Sequence, residues 1–277
     1  MIIGIAGLGL IGASAAKRAN RNGHTVLGYD LPEVLAKCIE NGTVSGRLEG
    51  NFDKCDIIIS ALYPLLTVEF AEKYASYFGQ GTILTDFGGT KRMVCEACEK
   101  LSENYGFEFI GAHPMAGKEN WGSDAADENL FNGASLIVMK DKLPEKYEKF
   151  MKELGFSHFQ HSNPEEHDRM IAYTSQLAHV ASGAFVKSPA AKKHYGFSAG
   201  SFRDLTRVAK LNENMWADLF LENSDNLTHE IDLLVMHLQE YSNAIKSADR
   251  EKLKQLLADG RIIKEEILGK ENCAWKK

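Results

Sequence analysis

In the first half of the chain the apolar positions fall in short unbroken runs, and in the second half they take on helical spacing. Ile2-Ile3-Gly4-Ile5-Ala6 has no polar face, as a parallel strand buried on both sides requires. Comparable runs at 24–29, 56–61, 82–87, 107–111 and 134–139 predict further strands, and 156–161 alternates like a last, half-exposed one. The segments between them carry helical periodicity. Examples are 13–22, then 65–78 with Leu66, Phe70, Tyr74 and Tyr77 on one side, 91–101, and a helix opened by Pro144. Alternating strands and helices predict a doubly wound parallel sheet.

From Asn163 the pattern changes. Pro164 at a first helical position, followed by Glu165 and Glu166, marks a helix start. Helical spacing continues to about Val186 and resumes from about Ser201, with breaks near 188–200, Asn212 and Ser247. No strand signal follows residue 161. The prediction is an α/β protein with a dinucleotide-type sheet domain over 1–161 and an all-helical domain over 162–277. The stretch 214–245, read as one long helix, is apolar over much of its surface (Met215, Trp216, Leu219, Phe220, Leu227, Ile231, Leu234, Leu238). That is more than one small bundle needs, so a homodimer through the C-terminal helices is expected.

Composition narrows the class. The 277 residues carry 25% charged side chains and a net charge of −6, with no basic block, so nucleic acid and anionic membranes are poor partners. No apolar run approaches the roughly 20 residues that span a bilayer, and the start reads as a core strand, not a signal peptide. Five cysteines without regular spacing read as reduced thiols, which points to the cytoplasm. Cys95 and Cys98 form a CxxC with no second pair to complete a zinc site, so no metal is expected.

The first strand runs into Gly7-Leu8-Gly9-Leu10-Ile11-Gly12 and then a helix. Gly7 permits the tight turn, Gly9 lets the backbone approach a pyrophosphate, and Gly12 lets helix and strand pack closely. The helix start, with Leu10 and Ile11, faces the phosphates with free N–H groups. Asp30 ends the second strand eighteen residues after Gly12, near the spacing of the acid that bonds adenosine ribose hydroxyls. A carboxylate there repels a 2′-phosphate, so NAD is the expected cofactor in a Rossmann domain.

Gly111-Ala112-His113-Pro114-Met115-Ala116-Gly117 follows a predicted strand, where ligands of open α/β sheets bind. An NAD enzyme needs a group for the substrate's hydroxyl proton, which suits neutral histidine, and a group for its charge, which suits arginine. His167, Asp168, Ser175 and His179 lie on one predicted helix, and offsets of seven and four put the last three on one face. Gly200-Ser201-Phe202-Arg203-Asp204-Leu205-Thr206-Arg207 opens another helix with two arginines. Plain alternatives are an exposed first-turn His167, a local ion pair of Arg203 with Asp204 or Asp218, and a surface Arg207.

Together these blocks, with Asp86-x-Gly88-x-x-Lys91, Glu119, Leu130-Phe131-x-Gly133 and Met215-Trp216, resemble the prephenate dehydrogenase family, which includes arogenate and cyclohexadienyl dehydrogenases. The resemblance runs in order from residue 2 to about 225. It implies a Rossmann domain, a helical dimerisation domain, and NAD-dependent oxidative decarboxylation of prephenate to 4-hydroxyphenylpyruvate on the route to tyrosine. It implies His113 as the base, and His179 and Arg207 holding substrate carboxylates. Thr90, Gly200, Ser201 and Arg203 would join them at the substrate, with the Gly200-Ser201 turn entering a neighbouring subunit's site. Two blocks depart from the family. Gly89 stands where a serine usually helps hold the catalytic histidine and the nicotinamide. The family's S-H-L-P-H segment reads Ser175-Gln176-Leu177-Ala178-His179.

Other readings are an arogenate dehydrogenase giving tyrosine directly, a β-hydroxyacid dehydrogenase or imine reductase, and a catalytically silent NAD-sensing module. The second would place a catalytic lysine early in the helical half, where only Lys187 stands, at a helix end.

Overall fold

The computed structural model describes residues 1–118 and 120–274, so Glu119 lies outside the described residues. Contacts divide the chain into a compact unit Met1–Ser224 and a second from Asp225 onward.

The first unit is built on an eight-stranded sheet. Its strands are β1 (Ile2–Ala6), β2 (Thr25–Tyr29), β3 (Gly46–Arg47), β4 (Ile57–Ser60), β5 (Ile83–Asp86), β6 (Glu108–Pro114), β7 (Ser135–Val138) and β8 (His158–His161), in the order β3-β2-β1-β4-β5-β6-β7-β8. The apolar runs divide by pleat. Ile3, Ile5, Ile57 and Ile59 enter one core with Leu35, Phe131, Tyr147 and Phe150, while Ala6, Ile58 and Leu84 enter the other with Phe70, Val94, Cys95 and Cys98. Helices α1 (Leu10–Arg21), α2 (Pro32–Glu40) and α5 (Glu145–Leu154) cover the first core, and α3 (Pro64–Tyr74) and α4 (Arg92–Tyr105) the second.

The doubly wound prediction holds, with three differences. The short β3 carries too few residues to show a period. Strand β7 runs antiparallel to β6, and the described residues of the connection from Met115 to Ala134 hold no α-helix of the kind that usually carries a parallel crossover. On α3 the buried face is Thr67, Val68, Phe70 and Ala71, whereas Leu66 and Tyr77 are exposed. The helix ends at Tyr74, so Tyr77 sits on a separate 3-10 turn and the expected stripe is cut.

After β8 every described element is helical. Pro164 sits at the first position of α6 (Pro164–Ile171), and the Asn163 side chain accepts the Glu166 N–H at 2.9 Å, capping it. The helix then passes through a π turn at Ala172–Gln176 into α7 (Leu177–Phe185). Next come α8 (Gly200–Thr206), a 3-10 turn at Arg207–Ala209 and α9 (Glu213–Glu222). The predicted helix 214–245 is two helices, because the chain breaks at Asn223 before α10 (Ser224–Lys246). Asn223 is fully buried, and its amide donates to the Asp168 carbonyl at 2.7 Å and to Gln176 Oε1 at 2.8 Å.

The second unit consists of α10 and α11 (Arg250–Ala274), joined through Ala248 at a φ of 54°. The Tyr241 hydroxyl donates to the Leu256 carbonyl at 3.0 Å, tying the pair. No helix among the described residues is long and apolar enough to cross a membrane.

Candidate active site

The strand order reverses between β1 and β4, and ligands of such sheets bind outside the carboxyl ends of the strands at that reversal. The glycine loop stands there. Gly7 has a φ of 89°, and a Cβ on it would come 2.7 Å from the Ala61 carbonyl oxygen, while one on Gly12 would strike the Gly7 carbonyl oxygen at 1.8 Å. Gly9 faces open space. Asp30 is held at the end of β2 by the N–H groups of Leu8, at 2.5 Å, and Leu31, at 2.7 Å. A cradle closed to side chains below, open above Gly9, capped by the start of α1 and flanked by an anchored carboxylate fits the pyrophosphate and ribose of NAD.

Strands β5 and β6 end beside it. Lys91 and Asp86, both fully buried, form an ion pair, and Lys91 Nζ also donates to the Ala112 carbonyl at 2.8 Å. Asp86 Oδ1 in turn accepts the Ala112 N–H at 3.3 Å. Each charge thus has a partner and further hydrogen bonds, the condition under which buried charges are tolerated. The effect is to pin the end of β6 one residue before His113.

His113 is partly exposed. Its Nδ1 lies 2.9 Å from Nε2 of His167, and His167 Nδ1 lies 2.8 Å from Asp168 Oδ1. The sequence allowed an exposed His167; the structure buries it, at 2% exposure, with Asp168 at 1%. Asp168 also accepts the backbone N–H groups of Lys91 at 2.8 Å and Arg92 at 3.0 Å, fixing the start of α4. Burial pushes the His113 ring well below the ordinary imidazole range, and the neighbouring His167 and Lys91 add to it. His167 is lowered too, chiefly by burial, against the pull of its bond to Asp168. Burial works to raise the Asp168 carboxyl, but the hydrogen bonds from His167 and the two amides outweigh it and hold it low.

The expected shared face of Asp168, Ser175 and His179 does not form. The π turn adds a residue to the period, so Gln176 replaces Ser175 on the inner side, and Ser175 is partly exposed. Gln176 donates to the Leu219 carbonyl at 2.9 Å.

Helix α9 links the parts. Trp216 lies on His179 with ring centroids 3.8 Å apart. Leu219 faces Gly89. Glu222 accepts from the Thr90 hydroxyl at 2.6 Å, and burial raises its carboxyl while that bond lowers it. His179 Nδ1–H donates to the Val208 carbonyl at 2.9 Å. Burial lowers this ring, the Val208 bond works the other way, and Arg207 lowers it further. Arg207 opens the 3-10 turn that carries Val208, and Arg203, Gly200 and Ser201 are exposed on α8. Sequence reasoning gave no inward role to Lys91, Asn223, Gln176 or Glu222; a polar residue aimed inward leaves no periodic signal. Among the described residues no group of three or more His, Cys, Asp or Glu could hold a metal ion.

Comparison with known proteins agrees with this geometry. The family model for the prephenate dehydrogenase nucleotide-binding domain matches residues 13–152, and that for the prephenate dehydrogenase dimerization domain matches 163–259. The prephenate dehydrogenase of Lactococcus lactis subsp. cremoris is 30% identical over 272 residues, spanning 94% of this chain and 76% of the relative. A crystal structure of prephenate dehydrogenase from A. aeolicus with hydroxyphenyl propionate and NAD+ superposes at a TM-score of 0.81 with 27% identity, covering 96% of this chain and 98% of that one. Synechocystis arogenate dehydrogenase superposes at 0.78 with 25% identity, covering 96% and 100%. Both halves match in order and over nearly their whole length, and the chain belongs to the prephenate dehydrogenase family.

Proposed function

We propose that the protein oxidatively decarboxylates prephenate to 4-hydroxyphenylpyruvate with NAD. The observation that carries this reading is a partly exposed His113 at the carboxyl end of β6, its ring held below the ordinary imidazole range by burial, beside a cradle that fits the dinucleotide. Gly7, Gly9, Leu10, Ile11 and Gly12 hold the pyrophosphate, Asp30 the ribose, and Gly89 meets the cofactor through its backbone. When bound, NAD supplies the acceptor for the hydride that leaves the ring carbon bearing the substrate hydroxyl.

His113 takes the hydroxyl proton as that carbon becomes a ketone. The bond to the ring carboxylate then breaks, its electron pair flows into the ring, CO2 departs, and aromatisation makes the step irreversible. His113 returns its proton to the phenolate oxygen formed. Arg207 holds a carboxylate through its fork of donors. His179, with Nδ1–H committed to Val208, presents Nε2 to a second carboxylate, whose charge favours protonation there. Arg203, Thr90, Gly200 and Ser201 complete the substrate side, the last two reaching from a neighbouring subunit.

We assign cofactor binding to 1–161 and substrate binding and dimerisation to 162–277, in a cytoplasmic homodimer joined through the C-terminal helices. The reduced, buried Cys38, Cys55, Cys95 and Cys98 suit that compartment. Arogenate is the second reading, favoured by the likeness to the Synechocystis enzyme. The experiment is formation of the reduced cofactor with prephenate and with arogenate, each with NAD and NADP. Turnover of prephenate with NAD supports the proposal, and no turnover of either substrate overturns it.

A further inference from the structure

Two neutral imidazoles sharing one hydrogen bond can be arranged in two ways, and the neighbours of this pair permit one. Asp168 is ionised and therefore accepts only, taking the amides of Lys91 and Arg92 and, at 2.8 Å, the Nδ1 edge of His167. His167 must therefore carry its proton on Nδ1, since the alternative sets a nitrogen lone pair against a carboxylate inside the protein. Burial opposes a second proton on His167 more strongly than the Asp168 and Asp86 carboxylates favour one, and the Lys91 charge opposes it too. Its Nε2 is then an acceptor. At 2.9 Å from that acceptor, His113 Nδ1 must be the donor.

We infer that His167 is a positioning residue, which with Asp168 fixes His113 in the Nδ1–H tautomer and leaves its Nε2 free to take the substrate's proton. Among the described residues no group hydrogen-bonds His113 Nε2. The logic is that of a carboxylate–histidine pair holding a base in one tautomer, where replacing the carboxylate by an amide costs about 10⁴ in turnover in the best-studied hydrolase case. The anchor is rigid, because Asp168 also caps α4 and receives the Asn223 amide on its own carbonyl at 2.7 Å. The inference rests on the reading of His113 as the base, but the tautomer itself is measurable without any reaction.

The first test is imidazole nitrogen NMR on 15N-histidine-labelled protein without cofactor or substrate. Among nine histidines, the His113 signals are assigned by their loss in His113→Asn. The expected result is a proton on Nδ1 in the unmodified protein and a shift toward Nε2–H in His167→Asn. An Nε2–H tautomer in the unmodified protein, or no change in His167→Asn, overturns the inference whatever the substrate proves to be.

The second test separates positioning from packing. Asn places its amide where His167 Nδ1 stands and so keeps the bond to Asp168, but it offers no acceptor at the Nε2 position. Gln places its carbonyl near Nε2 and gives up the Asp168 bond. Tautomer control predicts that His167→Asn loses on the order of a hundredfold in kcat, with KM for both substrates within about twofold, and that His167→Gln stays within about tenfold of the original. A purely structural role through Asp168 predicts the reverse ranking. Asn equal to or better than Gln in kcat would overturn the inference.

Discussion

Gly89 and Leu219 share one volume: a Cβ at Gly89 would stand 3.2 Å from Leu219 Cδ2 and 3.5 Å from Cδ1. The position without a side chain is thus matched to a leucine on α9. Gly89→Ser should destabilise the protein by about 1–3 kcal/mol through overpacking. Adding Leu219→Ala should recover part of that loss, giving a coupling energy of at least about 0.5 kcal/mol in a double-mutant cycle by urea unfolding. Strictly additive effects would mean that the two positions do not compete for space.

Asp30 bonds the Leu8 and Leu31 amides, so it shapes the glycine loop as well as facing the ribose. Asp30→Ser should lower kcat/KM with NAD and raise it with NADP, narrowing the preference from both sides. Equal efficiency with the two cofactors in the unmodified protein would remove the role given to Asp30.

Replacing the base and replacing a carboxylate-binding group should fail differently. His113→Asn should cut kcat by roughly two to four powers of ten with little change in KM, the usual worth of a positioned acid–base group. Arg207→Ala should mainly raise KM for prephenate, because its contact is present in ground and transition states alike. Steady-state kinetics of the two variants checks both. Near-normal turnover in His113→Asn would move the base role to His179.

Burial lowers His113, His167 and His179 in the folded chain. The unfolded chain therefore binds more protons as the pH drops through about 6.5, the ordinary histidine value, and stability falls with it. Each such group contributes a slope of up to about 1.4 kcal/mol per pH unit between its folded and unfolded values. Thermal unfolding should show a lower Tm at pH 5.8 than at pH 7.5, and His167→Asn should have a shallower dependence. A Tm that is flat or rises on acidification over that range would contradict the neutral state of these rings.

Helices α10 and α11 leave Val235, Met236, Leu238, Ile245, Leu257, Ile263 and Leu268 exposed at 42–63% in a single chain. So much apolar surface predicts an obligate homodimer burying more than about 2,000 Å² in total. Light scattering should give twice the chain mass at micromolar concentration, and Leu238→Glu with Ile263→Glu should shift it toward the monomer. A monomeric unmodified protein at that concentration would refute the assignment.

Features that depend on neighbours along the chain are legible in the amino-acid sequence. Short unbroken apolar runs such as 57–59 read as strands buried on both faces. Gly7, Gly9 and Gly12 could only make a turn that backbone or phosphate approaches closely. Pro164 and Asn163 could only open a helix, and His113 had to fall at a strand end. Tertiary structure decided which face of each helix met a partner, and where regularity gave way. The π turn at Ala172–Gln176 rotated Gln176 inward in place of Ser175, and Asn223 ended one helix to reach Asp168 and Gln176. His167, readable as an exposed first-turn residue, became the partner of a histidine 54 positions away. Periodicity reports the average environment of a surface, whereas a single buried hydrogen bond between distant residues, such as that from His113 to His167, leaves no period.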